Sequence, residues 1–451
     1  MAKDLTEGRP LKLILSFALP LFLGNLFQQL YNIVDTAVVG RFLGTQALGA
    51  VGASSSVQFL VLGFCIGICC GFAIPVAQRF GAKDYDRMRE YIFNSAILCV
   101  GFAAVLTVVC SLLCPNILRM LSAPEEIFED ANAYLLILFM GMPFTILYNI
   151  LAAILRAVGD SRTPFLFLVI STVLNIIMDL LFVIVFEWGV AGAAIATIAA
   201  QAVSGMLCFA YIWRNVPLLH IPKRCRKADT KLLGSLTVMG VPMGLQYSIT
   251  AIGSMVMQSA NNSLGTVYVS GYTAGFRIKQ MLMCPFDALA TGVATFAGQN
   301  LGAGKLDRIK QGIRQGVLVG MAYGAVIGVV MWLFGRNMAS LLVSGEDTAP
   351  VLDAAGRYIR CMGVLFWTLG ILNVCRMTVQ GLGYSGRAVF SGVVEMIGRV
   401  VMSSFTGALG FWAICFSDQS AWILASIYIS ITTLVLLKKL DRAAAAPKGH
   451  N

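Results

Sequence analysis

The sequence predicts an all-α integral membrane protein of twelve transmembrane helices, built as two six-helix lobes related by a pseudo-two-fold axis along the membrane normal. Three observations predict it. Hydrophobic residues fill 58% of the 451 positions and charged residues only 12%, with a mean hydropathy of +0.80, whereas soluble domains carry about 25% charged residues. Mostly apolar stretches of roughly 20 residues, the length that crosses the hydrocarbon core as a helix, recur from end to end. The chain also repeats itself: AQRFGAKDYDRMRE (Ala77 to Glu90) aligns with GQNLGAGKLDRIKQ (Gly298 to Gln311) at an offset of 221 residues.

The first expected span, 13–38, is too long for the apolar core of a signal peptide and is studded with Asn and Gln. Spans at 46–77, 92–114, 132–154, 163–187 and 190–213 complete the first half. The second half repeats the series at 235–261, 267–297, 313–335, 358–380, 386–409 and 420–437. The first, second, seventh and eighth run long, which predicts tilt or kinks; Pro20 and Gly24 leave two readings of the first, a bend within the helix or a helix that Pro20 breaks near its start. Further anchors keep the same order in both halves: Pro20 with Pro242, Gly44 with Gly265, and RAVGDS (Arg156 to Ser161) with QGLGYS (Gln380 to Ser385) at an offset of 224. The expected division is an N-lobe at 1–216, a basic linker at 217–231, a C-lobe at 232–440 and a tail at 441–451. Transporters built from parallel repeats of this kind carry substrate between the halves.

The net charge of +11 is distributed as topology rather than as a nucleic-acid patch. Lys3, Arg9 and Lys12 precede the first span; Arg79, Lys83, Arg87 and Arg89 follow the second; Arg224, Arg226, Lys227 and Lys231 follow the sixth; Lys438, Lys439 and Arg442 follow the last. The alternate loops are poor in Lys and Arg, and two carry acids, including Glu125, Glu126, Glu346 and Asp347. The positive-inside rule then places both termini in the cytoplasm of a multi-pass cell-membrane protein. No soluble catalytic domain fits in the short connections. Most of the twelve cysteines lie inside spans, where Cys acts as a small hydrophobe. With only His220 and His450, no zinc or haem cofactor is expected. GAGK (Gly302 to Lys305) is no phosphate loop, since Gln299 and Leu306 stand where Gly and Ser or Thr belong.

Ionisable residues inside spans are costly and mark ion or substrate paths. Asn25, Gln28, Asn32 and Asp35, with Tyr31 beside them, form a polar stripe on the first span that is expected to face inward. In LNIIMD, Asn175 and Asp179 are four apart and share a helix face. Thr197 lies about as far into the sixth span as Asp179 lies back from its end. Two carboxylates, an amide oxygen and a hydroxyl make a hard oxygen cage for a small cation, Na⁺ or H⁺, since two facing carboxylates in a low dielectric repel. In the second half, Arg277, Lys279, Asp287, Arg376, Glu395 and Arg399 are further buried charges. Arg277 and Lys279 are expected to line a substrate cavity together with Gln28, Tyr31 and Asn32; Glu395 and Arg399, at i and i+4, read as an internal ion pair.

LPLFLGNLFQQLYNIVDTAVVGRFLG in the first span, LNIIMDLLF in the fifth, the RAVGDSRTP loop and GQNLGAGKLDRIKQG after the eighth span resemble the multidrug and toxic compound extrusion (MATE) transporters. The resemblance covers roughly residues 11–437. It implies two lobes around a V-shaped cavity, antiport of Na⁺ or H⁺ against organic, often cationic, compounds, and cation ligands at Asp35, Asn175, Asp179 and Thr197. Members that carry a coupling acid in the seventh span differ, because that span has no Asp or Glu here and Met257 stands near the counterpart of Asp35.

The expected function is therefore a cation-coupled exporter of small molecules, a monomer among membrane lipids with no nucleic-acid partner, and not an enzyme. The alternative is a lipid-linked glycan flippase of the same superfamily, which would call for a strongly basic cavity in the first half. A channel is disfavoured by the two-half repeat and the lack of a repeated filter loop.

Overall fold

The computed structural model describes residues 3–120, 124–343 and 348–445. Glu346, Asp347 and residues 446–451 of the expected tail lie outside the described residues. The regular elements among those described are all helical. They are α1 (Pro10–Phe42), α2 (Gly44–Gly81), α3 (Tyr85–Met120), α4 (Glu125–Met140), α5 (Met142–Ala157), α6 (Arg162–Leu180, ending in a π-turn at Leu181–Val185), α7 (Gly189–Asn215), α8 (Thr230–Asn262), α9 (Thr266–Gly302), α10 (Leu306–Ala339), α11 (Ala349–Leu365), α12 (Thr368–Gly381), α13 (Ser385–Ser404), α14 (Thr406–Leu409) and α15 (Phe411–Ala445).

Nine helices among the described residues are long and apolar enough to cross a membrane alone. Two bent pairs add one crossing each: α4 meets α5 at 48° and α11 meets α12 at 63°. The first bend sits at Gly141, where a Cβ would lie 2.1 Å from Ile198 Cδ1 of α7, so the close approach requires glycine. With α13, which carries Glu395 and Arg399 in its interior, the crossings number twelve among the described residues.

The last span differs from expectation for a physical reason, and the first decides between the two readings of Pro20. The last helix begins at Phe411 rather than near 420. Ser417, Asp418, Gln419 and Ser420 read as a loop because they are polar, yet inside the helix Ser417 donates to Ala413 O at 2.7 Å and Ser420 to Ser417 O at 3.0 Å. Helix α1 runs on through Pro20; proline there neither starts nor ends it.

The chain forms two compact units. One is built on Leu23–Gly244, the other on Leu5–Phe22 and the chain from Leu245 onward. Each cut runs through a helix, two residues after Pro20 in α1 and two residues after Pro242 in α8, and the linker 217–231 belongs to the first unit.

The turns carry the repeat into three dimensions. Left-handed backbone occurs at Gly44 (φ 85) and Gly265 (97), at Lys83 (58) and Gly304 (70), at Gly159 (86) and Gly383 (91), and at Gly189 (61) and Gly410 (58). The turn after α2 and the turn after α9 close with the same bonds: Asp84 N–H donates to Arg79 O at 3.1 Å and Lys305 N–H to Asn300 O at 2.9 Å.

Small residues bring the helices together, as expected where lipid supplies no hydrophobic drive between them. In the first unit Gly67 and Gly71 of α2 lie against Gly244 and Gly240 of α8, a Cβ on Gly67 falling 2.7 Å from Gly244 Cα. In the second unit Gly312, Gly316, Gly320, Gly324 and Gly328 repeat every four residues along the buried face of α10, and a Cβ on Gly320 would lie 2.8 Å from Gly370 Cα of α12.

Candidate cation site and a buried ion network

The first unit gathers one cluster of buried polar side chains from four helices. Tyr31 and Asp35 stand one turn apart on α1, Asn175 and Asp179 one turn apart on α6, Thr197 in the third turn of α7, and Tyr134 on α4. Asp35 is 8% exposed, Asn175 3%, Asp179 1% and Thr197 7%. The placement follows from the helix period: residues four apart share a face, and the short 186–188 turn folds α7 back alongside α6.

The hydrogen bonds fix some atoms and leave others without partners. Thr197 Oγ1 donates to Ala193 O at 3.1 Å, so in its 3.0 Å contact with Tyr31 Oη the phenol is the donor. Asp35 and Asp179 lie within electrostatic range of each other and of Tyr134. Asp35 Oδ1, both oxygens of Asp179, and Asn175 Oδ1 and Nδ2 are buried without any hydrogen-bond partner. Buried polar atoms in folded proteins are nearly always paired, and five orphans on three adjacent side chains form an unusual concentration. Among the described residues no Lys or Arg pairs with either carboxylate. Two facing carboxylates with no internal counter-charge need a proton or a small cation, and a donor set of carboxylate and amide oxygens suits a hard ion. The residues present fit such an ion.

The inward stripe expected on α1 divides. Tyr31 is half-buried and Asp35 buried, while Gln28 and Asn32 are exposed. At 100° per residue the pair 28/32 lies about 60° round the helix from 31/35, so only one edge of the stripe reaches the cluster. Tyr31, read from sequence as a cavity residue, belongs to the candidate cation site through Thr197.

The charges of the second half are also assembled within their own unit. Arg277 is exposed. Lys279, expected to line a cavity, is buried: its Nζ lies 2.6 Å from Asp418 Oδ2 and donates to Tyr358 Oη at 3.3 Å. Arg399 Nε donates to Asp418 Oδ1 at 2.9 Å and Arg399 Nη2 to Glu395 Oε1 at 2.6 Å, and Arg376 Nη2 donates to Glu395 Oε2 at 2.5 Å. The Glu395–Arg399 pair is thus one link in a chain of five buried charges. Asp287 is exposed and acts electrostatically with Arg376.

Tyr134 and Asp418 are absent from the residues picked out by sequence. Asp418 is missed because the last span, read from 420, excludes it. Counting from the repeat reaches Asp418, which stands as far after Gly410 as Thr197 stands after Gly189; Tyr134 and Tyr358 likewise stand equally far before Gly159 and Gly383.

Comparison with known proteins adds an independent line. The MatE family model matches residues 20–181 and 242–406. The probable multidrug resistance protein YpnP of Bacillus subtilis (strain 168) is 31% identical over 427 residues, 94% of this chain and 91% of its own length. The multidrug export protein MepA of Staphylococcus aureus (strain MSSA476) is 22% identical over 93% of each chain. A crystal structure of MATE in the bent conformation superposes with a TM-score of 0.90 at 21% identity over 98% of each chain. An outward-facing multidrug resistance MATE transporter of the MOP superfamily does so with a TM-score of 0.90 at 22% identity, covering 97% of this chain and 98% of its own. At those identities the two structures speak for the fold.

Proposed function

This chain belongs to the MatE family of multi-pass membrane transporters, and on that premise we propose that it exports organic, mainly cationic, small molecules in exchange for a cation held by Asp35 and Asp179. The multidrug names of its relatives support the cargo class. The observation that carries the coupling site is the group of orphaned buried atoms on Asp35, Asn175 and Asp179. Asn175 and Thr197 supply oxygens that a proton would not need, which favours Na⁺ over H⁺.

Coupling requires that cation and cargo prefer different states of the protein, because a ligand binding two states equally shifts nothing. Entry of the cation at the carboxylate pair removes a repulsion, so the state that gathers Asp35, Asp179 and Asn175 is stabilised when the ion is bound. The chain acts as a monomer in the lipid of the cell membrane. The distribution of Lys and Arg supports cytoplasmic termini.

Fluorescent-dye efflux from proteoliposomes under a Na⁺ gradient or a pH gradient tests this, with the wild type beside Asp35→Asn. Efflux driven by one gradient and lost in the variant is expected. Efflux indifferent to both gradients, or to the substitution, would end the antiport reading. A glycan flippase would call for a strongly basic cavity in the first half, and the buried site there is acidic.

A further inference from the structure

We propose that the second unit holds a disabled copy of the cation site, in which the ion is replaced by the protein's own Lys279 and Arg399, so that only the first unit takes up an exchangeable cation. This rests on the reading of Asp35 and Asp179 given above.

The repeat supplies the correspondence. Asp35 follows Pro20 by fifteen residues, as Met257 follows Pro242. Asn175 and Asp179 follow Ser161 by fourteen and eighteen, as Arg399 and Ser403 follow Ser385. Thr197 follows Gly189 by eight, as Asp418 follows Gly410, and Gln58 follows Gly44 by fourteen, as Lys279 follows Gly265. Tyr134 precedes Gly159 by the same count by which Tyr358 precedes Gly383. All three glycine pairs used here have left-handed backbone, so those counts start from equivalent structural points.

The same positions therefore carry opposite solutions. In the first unit two acids and an amide face one another with orphaned atoms. In the second unit a single carboxylate, Asp418, occupies the threonine position. One of its oxygens is 2.6 Å from the Lys279 ammonium and 2.8 Å from the Tyr358 hydroxyl, and the other accepts from Arg399 Nε at 2.9 Å. An ammonium 2.6 Å from a carboxylate oxygen fills the space in which a free cation would coordinate it. Lys279 also lies 4.5 Å from the centre of the Phe276 ring, a further cation-stabilising contact. Each acid of the buried chain is held by two cations: Asp418 by Lys279 and Arg399, and Glu395 by Arg376 and Arg399. With the cation tethered, the second unit has no counter-charge to exchange, and Lys279 limits the transporter to one coupling cation per cycle.

The test removes the tethered cation and offers a free one. Lys279→Ala, reconstituted as the full chain, is expected to lose dye efflux by about tenfold or more, because breaking a buried pair leaves an uncompensated charge. Methylammonium chloride at equal concentration on both sides of the membrane restores it by filling the ammonium's place, while Asp35→Asn gains nothing from the same addition. If Lys279→Ala cannot be purified folded, Lys279→Gln is followed by thermal melting, its midpoint rising with methylammonium while that of the wild type stays flat. Wild-type efflux in folded Lys279→Ala without added cation would overturn the proposal. So would failure of methylammonium to restore efflux or raise the midpoint, and so would a second saturable ²²Na⁺ site in the wild type that vanishes on Asp418→Asn. The melts read the second unit without transport, so an Asp35→Asn variant that transports normally sinks the coupling-site reading separately.

Discussion

The two units place polar clusters at matching points of one repeat, and one cluster contains its own counter-ions while the other does not. In the second unit both acids of the buried network, Glu395 and Asp418, meet cations within hydrogen-bonding distance. In the first, Asp35 and Asp179 interact electrostatically with each other and, among the described residues, form no ion pair. The difference teaches that buried charge has two uses. Paired internally it fixes helices relative to one another; left unpaired it makes the protein's free energy depend on something from outside.

The largest expected effect comes from Asp179→Asn, which removes half of the carboxylate pair and should lower cation-driven dye efflux to the level of empty liposomes, with the amount of folded protein unchanged by gel filtration. Next comes stability, where the units should respond in opposite directions. Asp418→Asn leaves Lys279 and Arg399 buried without their acid and should cost about 3–5 kcal/mol, read as a fall in the thermal midpoint. Asp35→Asn in cation-free buffer relieves a repulsion and should leave the midpoint level or raise it. Equal falls in both would erase the distinction between the clusters.

The tyrosines sharpen it further. Tyr358 donates to Asp418 at 2.8 Å, so Tyr358→Phe should lower stability by about 1.5–3 kcal/mol, the range for a hydrogen bond to a charged group. Tyr134→Phe should change the midpoint little, with its effect confined to cation dependence of efflux.

Packing gives a control common to both units. Gly244→Ala in the first and Gly320→Ala in the second each force a methyl against backbone or ring atoms, with Cβ contacts of 2.7 Å to Phe64 Cδ2 and 2.8 Å to Gly370 Cα. Each should cost about 1–3 kcal/mol. The smallest effect is at the surface. The Arg224 guanidinium beside Asp86 holds that carboxyl below its ordinary range, so the pair lends stability above the usual carboxylate pKa and loses it as pH falls through the lowered value. Both groups are exposed and screened, and Asp86→Asn should leave the melting curve at neutral pH unmoved.

Much of this architecture is legible in the residues. The spans follow from hydropathy because a helix is the way an isolated stretch satisfies its backbone in lipid, and the repeat is visible because its turn residues are constrained. Asp35, Asn175, Asp179 and Thr197 stand out because charge and amide groups are rare at that depth. Gln28 and Asn32 could not be told apart from Asp35 by type, since exposure along a polar stripe is set by neighbouring helices. Asp418 escaped because a polar run looks like a loop until partners are brought to it.

By itself the sequence determined the solvent, the number of crossings and the two-fold repeat, all of which depend on local composition and spacing. The tertiary structure alone decided which charges are answered. Lys279 and Asp418 lie 139 residues apart along the chain and 2.6 Å apart in space, whereas nothing basic pairs with Asp35 among the described residues. Coulomb energy depends on distance in three dimensions and on the dielectric around it, and neither quantity is written in the order of the residues.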